Sequence, residues 1–381
     1  MTRHLAAAVV APDRVLRGGW VDVVDGRVAA VGEADVPDPD AVDLGDVVVV
    51  PGFVDLHCHG GGGASFGADP DESARAAAVH LAHGTTSVMA SLVTGPRERL
   101  AREVAALRDL VESQVLLGVH LEGPWLSSAR CGAHDPAQLR VPDRAELGEL
   151  VSPDTVRMVT IAPELEGGLD AVRRIVGHGA IAAVGHTDAD HATTVRAVEA
   201  GARHATHLFN AMRPLHHRDP GPVVALLEHD EVSLELIRDG VHLDPALCAW
   251  LDATVPPSRL VAVTDAMAAA ASADGRYALG QLEIDVVDSV ARVAGTSTIA
   301  GSTATMDRLF SAVAGADPDD ADLLRAVRQT SANPAHVVGR RDLGGLVPGA
   351  RADLVVLDPA TLQVLRAMRG GDWVADDPRP A

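Results

Sequence analysis

None of the 381 residues is lysine; all 32 basic side chains are arginines. That absence excludes a Schiff-base lysine, a P-loop lysine and a carboxylated lysine bridging two metals. Any phosphate has to be met by arginine, histidine or backbone N–H groups. Cysteine is also scarce. Cys58, Cys131 and Cys248 lack paired spacing, so neither a disulfide framework nor a zinc ribbon is indicated, and a reducing cytoplasm is the expected setting. No stretch approaches the roughly 20 apolar residues of a membrane helix. The N-terminal run LAAAVV soon meets Asp13 and Arg14, which makes it too short and too weakly flanked for a signal peptide. Positive charge is outnumbered, 53 acidic residues to 32 basic, for a formal net charge of −21. An acidic chain argues against nucleic acid or anionic membrane as the main partner. It leaves a small anionic substrate open, because local groups decide that binding.

What is present is a long, apolar chain, 47% hydrophobic, enough for a barrel of roughly 250–300 residues with a small accessory unit. The N-terminal segment WVDVVDGRVAAVG alternates around Asp25-Gly26, a hairpin signal. The C-terminal PGARADLVVLDPATLQVLRAM has the same β character. The expectation is one small β-sandwich domain built from residues 1–48 and 343–381, around a barrel spanning 49–342. Within the middle, apolar runs recur at 47–57, 85–92, 115–123, 155–164, 180–186, 202–209, 232–240 and 259–266. Stretches with helical spacing, such as PRERLAREVAALRDLV, lie between most of them. Eight strand–helix repeats predict a (β/α)8 barrel. A doubly wound sheet competes, but no Gly-x-Gly-x-x-Gly follows a first strand. Residues 275–300 read as an inserted hairpin, and the helix in GSTATMDRLFSAVAG as capped by Ser302 or Thr303. DPDDAD, 317–322, reads as a solvated loop and helix start.

Polar residues fall where such a barrel keeps its chemistry. His57 and His59 close PGFVDLHCHGGGG; residues i and i+2 of a strand face together, so Cys58 points away and reads as packing. Two histidines beside a glycine turn fit half a metal site, or two imidazoles satisfied locally. Strand 3 then ends with His120 and Glu122, strand 5 with His186, strand 6 with His207 and strand 8 with Asp265. The C-terminal strand ends of a barrel share one face. Four imidazoles (His57, His59, His186, His207) and two carboxylates (Glu122, Asp265) suit one or two ions of zinc, iron, manganese or cobalt better than calcium or magnesium. With no lysine, Glu122 is the candidate bridge, and Asp265 is placed to take a proton from water and return it to a leaving group. His120 is expected to orient Glu122. His80, His83, His178, His191, His204, His216 and His229 have no evident partner and read as structural or surface residues. Cys131 lies three residues before His134 in a loop and reads as a spectator or a thiol-sensitive group.

PGFVDLHCHG, HLEGPW (120–125), GHTDA (185–189), ATHLFNAM (205–212) and VTDAM (263–267) resemble the motif series of the amidohydrolase superfamily, and within it the N-acetylglucosamine-6-phosphate deacetylases. The resemblance runs from about residue 47 to PGARADLVVLD. It implies a metal-dependent barrel with a small β-sandwich domain, commonly a homodimer, that hydrolyses the acetamide of N-acetylglucosamine 6-phosphate. It makes Glu122, His186 and His207 metal ligands, His57 and His59 the pair that allows a second ion, and Asp265 the catalytic acid/base. His134, in CGAHDP, is implied as the residue that polarises the acetyl carbonyl. Asn210, Ala211 and His242 are implied as substrate contacts. Arg218 is implied as a phosphate-binding arginine reaching the neighbouring subunit's site, with His217 as a possible helper. The galactosamine epimer, another amidohydrolase substrate, and a non-catalytic sugar-phosphate sensor are the alternatives. The sensor would have lost Asp265 or metal ligands, and all are intact.

Overall fold

Eight short parallel strands form one sheet in chain order: Phe53–Cys58, Thr85–Val93, Gly118–Glu122, Val156–Ile161, Ile181–Val184, His204–Ala205, Ser233–Leu236 and Leu260–Ala262. The computed structural model describes residues 1–33, 39–151 and 154–374. The first strand meets the end of the eighth: Cys58 bridges Ala266 in parallel, the Asp265 N–H donates to the His57 carbonyl at 2.8 Å, and the His59 N–H donates to that of Ala266 at 2.7 Å. The (β/α)8 architecture read from the sequence is therefore the observed one. Helices follow the strands at Pro70–Ala82, Arg97–Glu112, Arg144–Leu150, Gly168–Gly177, His191–Glu199, Gly221–Glu228, Pro245–Thr254 and Met306–Ala314. Helix Arg97–Glu112 shows why such stretches fold this way: Leu100, Val104, Leu107 and Val111 make one buried stripe. Each such side chain, once buried, contributes about 1.5–3 kcal/mol.

Several strands are shorter than their apolar runs. The sixth run, 202–209, pairs only through His204–Ala205, and the seventh stops at Leu236. In and just past the sixth run the reason is local: His207, Phe209 and Ala211 all have positive φ, which takes the backbone out of the ladder. The inserted segment is a three-stranded antiparallel sheet, Gly275–Leu279, Leu282–Val287 and Val290–Val293, one strand more than a hairpin. The cap of helix Met306–Ala314 is Thr305, not Ser302 or Thr303. The Ser302 hydroxyl instead donates to the Thr264 carbonyl at 2.5 Å, and that of Thr303 to Ser289 at 2.7 Å.

Two compact units divide the chain: Met1–Asp55, Ala78–Ser87 and Thr305–Ala381 form one, Leu56–Ala77 and Val88–Ala304 the other. These limits differ from divisions at 48/49 and 342/343, since the helices after Thr305 cluster with the terminal strands. In the first unit, Thr2–Val10 pairs antiparallel with Val15–Val24 and parallel with Val48–Pro51, which joins the C-terminal strands Leu354–Leu357 and Val364–Arg369. Val24 and Arg27 pair across Asp25-Gly26, whose φ values of 48° and 72° make the tight turn foreseen there. Helix Asp320–Val327 opens with a capping box between Asp319 and Asp322, as DPDDAD suggests. The expected site residues His57, Glu122, His134, His186, His207 and Asp265 all belong to the second unit. Among the described residues no helix is long and apolar enough to cross a membrane.

Candidate active site

Three strand ends turn sharply to deliver their side chains. His186, His207 and Asp265 sit just past strands five, six and eight with φ of 47°, 30° and 48°. Left-handed backbone at a non-glycine residue costs about 1–3 kcal/mol and concentrates at functional sites. Close packing holds these turns. A Cβ on Gly185 would lie 2.7 Å from Thr206 Cβ, and one on Gly301 would lie 2.8 Å from the Asp265 carbonyl oxygen.

The inward-facing atoms fall into two groups around one carboxylate. His57 Nε2 and His59 Nε2 lie 3.2 Å apart and face Asp265 Oδ1 at 3.4 and 3.2 Å. His186 Nε2 and His207 Nε2 lie 3.0 Å apart and meet Glu122 Oε1 at 3.1 and 3.0 Å. Glu122 Oε2 points to His59 at 3.4 Å and to His134 at 3.3 Å, so its two oxygens span both groups.

Outer partners fix three of these imidazoles. Nδ1 of His57 donates to Glu235 Oε2 at 3.2 Å, that of His59 to the Ser91 carbonyl at 3.1 Å, and that of His186 to the Arg130 carbonyl at 2.9 Å. In the neutral ring this leaves the Nε2 lone pair facing inward, the tautomer a metal ligand needs. Among the described residues His207 Nδ1 has no hydrogen-bond partner. Converging nitrogen lone pairs and carboxylate oxygens repel one another unless a cation or shared protons lie between them. His57, His59 and Asp265, and also Glu122, His134 and His186, have the proximity a metal ion requires. The donor set fits divalent transition metals.

Without a metal, protons fill that role. Burial alone lowers the His59 pKa, but its hydrogen bonds to Asp265 and Glu122 outweigh this and raise it to about 9. His57 is held well above its usual value against the same burial by Asp265, Glu122 and Glu235. Against the opposite pull of burial, the histidine charges hold Glu122 well below the carboxylate range and Asp265 at about 2. The sign follows. A raised histidine stabilises the metal-free fold below its unfolded pKa of about 6.5, and that contribution is lost as pH rises through about 9. A ligating imidazole must be neutral. Metal binding should therefore release protons and tighten as pH rises toward about 9. Calorimetric titrations in buffers of different ionisation heat measure both effects; pH-independent affinity without proton release would contradict the scheme.

His134 has the opposite balance. Burial dominates and lowers its pKa to about 4, with Glu122 opposing. Its Nδ1 accepts the Thr94 backbone N–H at 3.3 Å, so the proton of the neutral ring sits on Nε2. His134, His242, Asn210, Ala211 and Asp265 line one cavity of about 280 Å³ with Leu279 and Ile299. His242 Nδ1 meets Asp239 Oδ2 at 2.8 Å; burial lowers its pKa, and Asp239 more than restores it. Asn210 Nδ2 donates to the His207 carbonyl at 3.3 Å.

Other expectations change. His120 does not orient Glu122. One step lower in the barrel, its Nδ1 meets Ser91 Oγ at 2.9 Å and its Nε2 meets Thr160 Oγ1 at 2.7 Å. Its ring packs edge-on against His57 at 4.6 Å. Burial, then the His57 charge, push its pKa well down. Arg218 is exposed and is not among the cavity's lining residues. Its Nη1 donates to His217 Nε2 at 2.7 Å, so His217 accepts there rather than serving as a second cation. Cys131 is free and partly exposed.

Sequence reasoning missed Glu235. It is fully buried in the seventh strand, where the histidine charges, His204 first and then His57, overcome burial and hold it well below the carboxylate range. It also gives His204 the partner that the sequence did not reveal, at 2.8 Å. A single carboxylate between Leu234 and Leu236 was the available signal.

The family model described as the amidohydrolase family matches residues 48–376. The N-acetyl-D-glucosamine-6-phosphate deacetylase of Mycobacterium smegmatis, solved as a mutant in complex with N-acetyl-D-glucosamine-6-phosphate, is 50% identical, with TM-score 0.94 over 98% of each chain. The N-acetylglucosamine-6-phosphate deacetylase of Bos taurus is 36% identical over 96% of each chain. The N-acetylgalactosamine-6-phosphate deacetylase of Escherichia coli O157:H7 is 36% identical over 89% of this chain and 92% of its own.

Proposed function

Because the chain belongs to the amidohydrolase family, we propose that it hydrolyses the acetamide of N-acetyl-D-glucosamine 6-phosphate to D-glucosamine 6-phosphate and acetate. The observation that carries this reading is Asp265 and the Nε2–H of His134 facing one cavity across Glu122. The relatives named for this deacetylation agree with it. His57, His59 and Asp265 would hold one divalent ion and Glu122, His186 and His207 another, with zinc, iron, manganese and cobalt as the candidates. When bound, such ions supply Lewis acidity that activates water and polarises a carbonyl.

The chain's own groups do the rest. The ionised Asp265 accepts a proton from the attacking water. His134 donates its Nε2–H to the carbonyl oxygen as negative charge develops there. Asp265 then returns the proton to the amine nitrogen as the C–N bond breaks, since an unprotonated amine is a poor leaving group. Asn210, the backbone at Ala211, and His242 position the sugar phosphate.

The second reading is the galactosamine epimer, favoured by the 36% identical relative of that name. Acetate release from both phosphorylated epimers and from unphosphorylated N-acetylglucosamine, by metal-loaded protein, decides between them. Turnover of the glucosamine compound alone supports the proposal, and no acetate from any of them overturns it. Arg218 is assigned to the substrate phosphate in the neighbouring subunit of a homodimer. Arg218→Ala should raise KM for the phosphorylated sugar roughly ten- to hundredfold, the worth of a hydrogen bond to a charged group. An equal effect on the unphosphorylated sugar would remove that role. Three free cysteines fit a reducing cytoplasm.

A further inference from the structure

Glu235 touches both ligand groups through one oxygen. Its Oε2 accepts from His57 Nδ1 at 3.2 Å and from the backbone N–H of His207 at 3.1 Å. Its Oε1 accepts from His204 Nε2 at 2.8 Å, and His204 Nδ1 meets Ser233 Oγ at 2.6 Å. Three donors converge on an acceptor with no proton of its own. Nothing in the reaction requires a carboxylate here, and burying one without function is costly. We propose that Glu235 is the positioning residue that makes the His57–His59–Asp265 group able to bind a metal ion. This rests on the metal-dependent reading above.

The argument concerns the proton on His57. An imidazole can bind a metal through Nε2 only while its other proton stays on Nδ1. His57 is buried, and Glu235 Oε2 accepts from its Nδ1. His59 and His186 use backbone carbonyls for this purpose, which substitution leaves unchanged. His57 depends on a side chain. The link to His207 runs through its main chain, and the turn there is also held by the Asn210 N–H donating to the His207 carbonyl at 2.9 Å. Loss of Glu235 should therefore fall selectively on the first group.

Glu235→Gln tests this with little change in shape. The amide oxygen is expected on the side of His57 and His207. The amide N–H2 then faces His204, whose proton can move to Nδ1 opposite Ser233. The fold and a neutral acceptor for the His57 Nδ1–H should survive, while the carboxylate charge, which raises the basicity of His57 Nε2 toward a metal, is lost.

Metal content and affinity are read by chelator competition with zinc, alongside thermal unfolding of the metal-free protein. Wild type should hold two ions. The variant should bind one of them roughly ten- to hundredfold more weakly, the usual effect of losing an outer partner, with the other little changed. On a His57→Asn background, Glu235→Gln should add no further loss. Equal weakening of both ions, or a lower unfolding temperature with both affinities intact, would overturn the proposal and leave a structural role. If Glu235→Gln does not fold, Glu235→Asp serves in its place. The shorter carboxylate withdrawn from His57 should show the same selective loss, and wild-type binding there overturns the proposal. Failure of wild type to bind any metal overturns the metal reading itself.

Discussion

Asp265→Asn should lower turnover roughly 10²–10⁴-fold, the range for loss of a general acid–base, in a protein that stays folded and keeps the metal of the Glu122–His186–His207 group. Asparagine suits the backbone, because Asp265 has φ 48° and asparagine accepts this left-handed region better than most residues. The main-chain bonds that fix the turn, to the carbonyl of His57 at 2.8 Å and from the N–H of Ser302 at 2.7 Å, do not involve the side chain. What is lost is proton traffic. In the metal-free protein, against the pull of burial, the His57 and His59 charges keep the carboxylate ionised at rest, and the assigned role needs a group that can take a proton and return it. An amide can do neither. Turnover, metal content and the unfolding temperature together check this; undiminished turnover would remove the acid/base assignment.

The sequence points to a candidate ligand set because each member follows from a rule that needs no coordinates. Strand periodicity puts His57 and His59 on one face, and barrel topology gathers the strand ends. Glu235 escaped because it lies within its strand, not at the end, and its partners His57 and His204 are 178 and 31 residues away. For His120, the two-residue spacing correctly gave the same face as Glu122 but not its depth. One step down the barrel it meets the hydroxyls of Ser91 and Thr160 instead of a carboxylate. The sixth strand was overread because an apolar run does not reveal positive φ at His207, Phe209 and Ala211. Those turns aim the candidate site residues inward against the local apolar pattern. The terminal β-strands were legible from alternation and Asp25-Gly26, but the clustering of the helices after Thr305 with them was not, since that is a matter of packing.

Glu122→Gln should have the largest effect, removing metal from both groups and at least roughly 10⁴ in turnover, or about 5.5 kcal/mol. Glu122 lies between the imidazoles of His57, His59, His134, His186 and His207, at 3.5, 3.4, 3.3, 3.1 and 3.0 Å. Its charge is the one both groups share. With an amide there, one oxygen is replaced by a donor that points at a nitrogen lone pair or at the cation meant to occupy that place. The first group would keep Asp265, whereas the second would keep two histidines and no carboxylate. Excess zinc should therefore refill the first group before the second, without restoring turnover. This separates the variant from Asp265→Asn, which is expected to lose activity while the second group still holds its metal. The lowered pKa of Glu122 adds a second readout. Its contribution to stability is present above its unfolded pKa of about 4.3 and is lost as pH falls through the folded value. In the variant that part of the acid-induced loss should disappear. Retention of both metals with wild-type turnover in Glu122→Gln would show that the shared carboxylate is not what holds the two groups together.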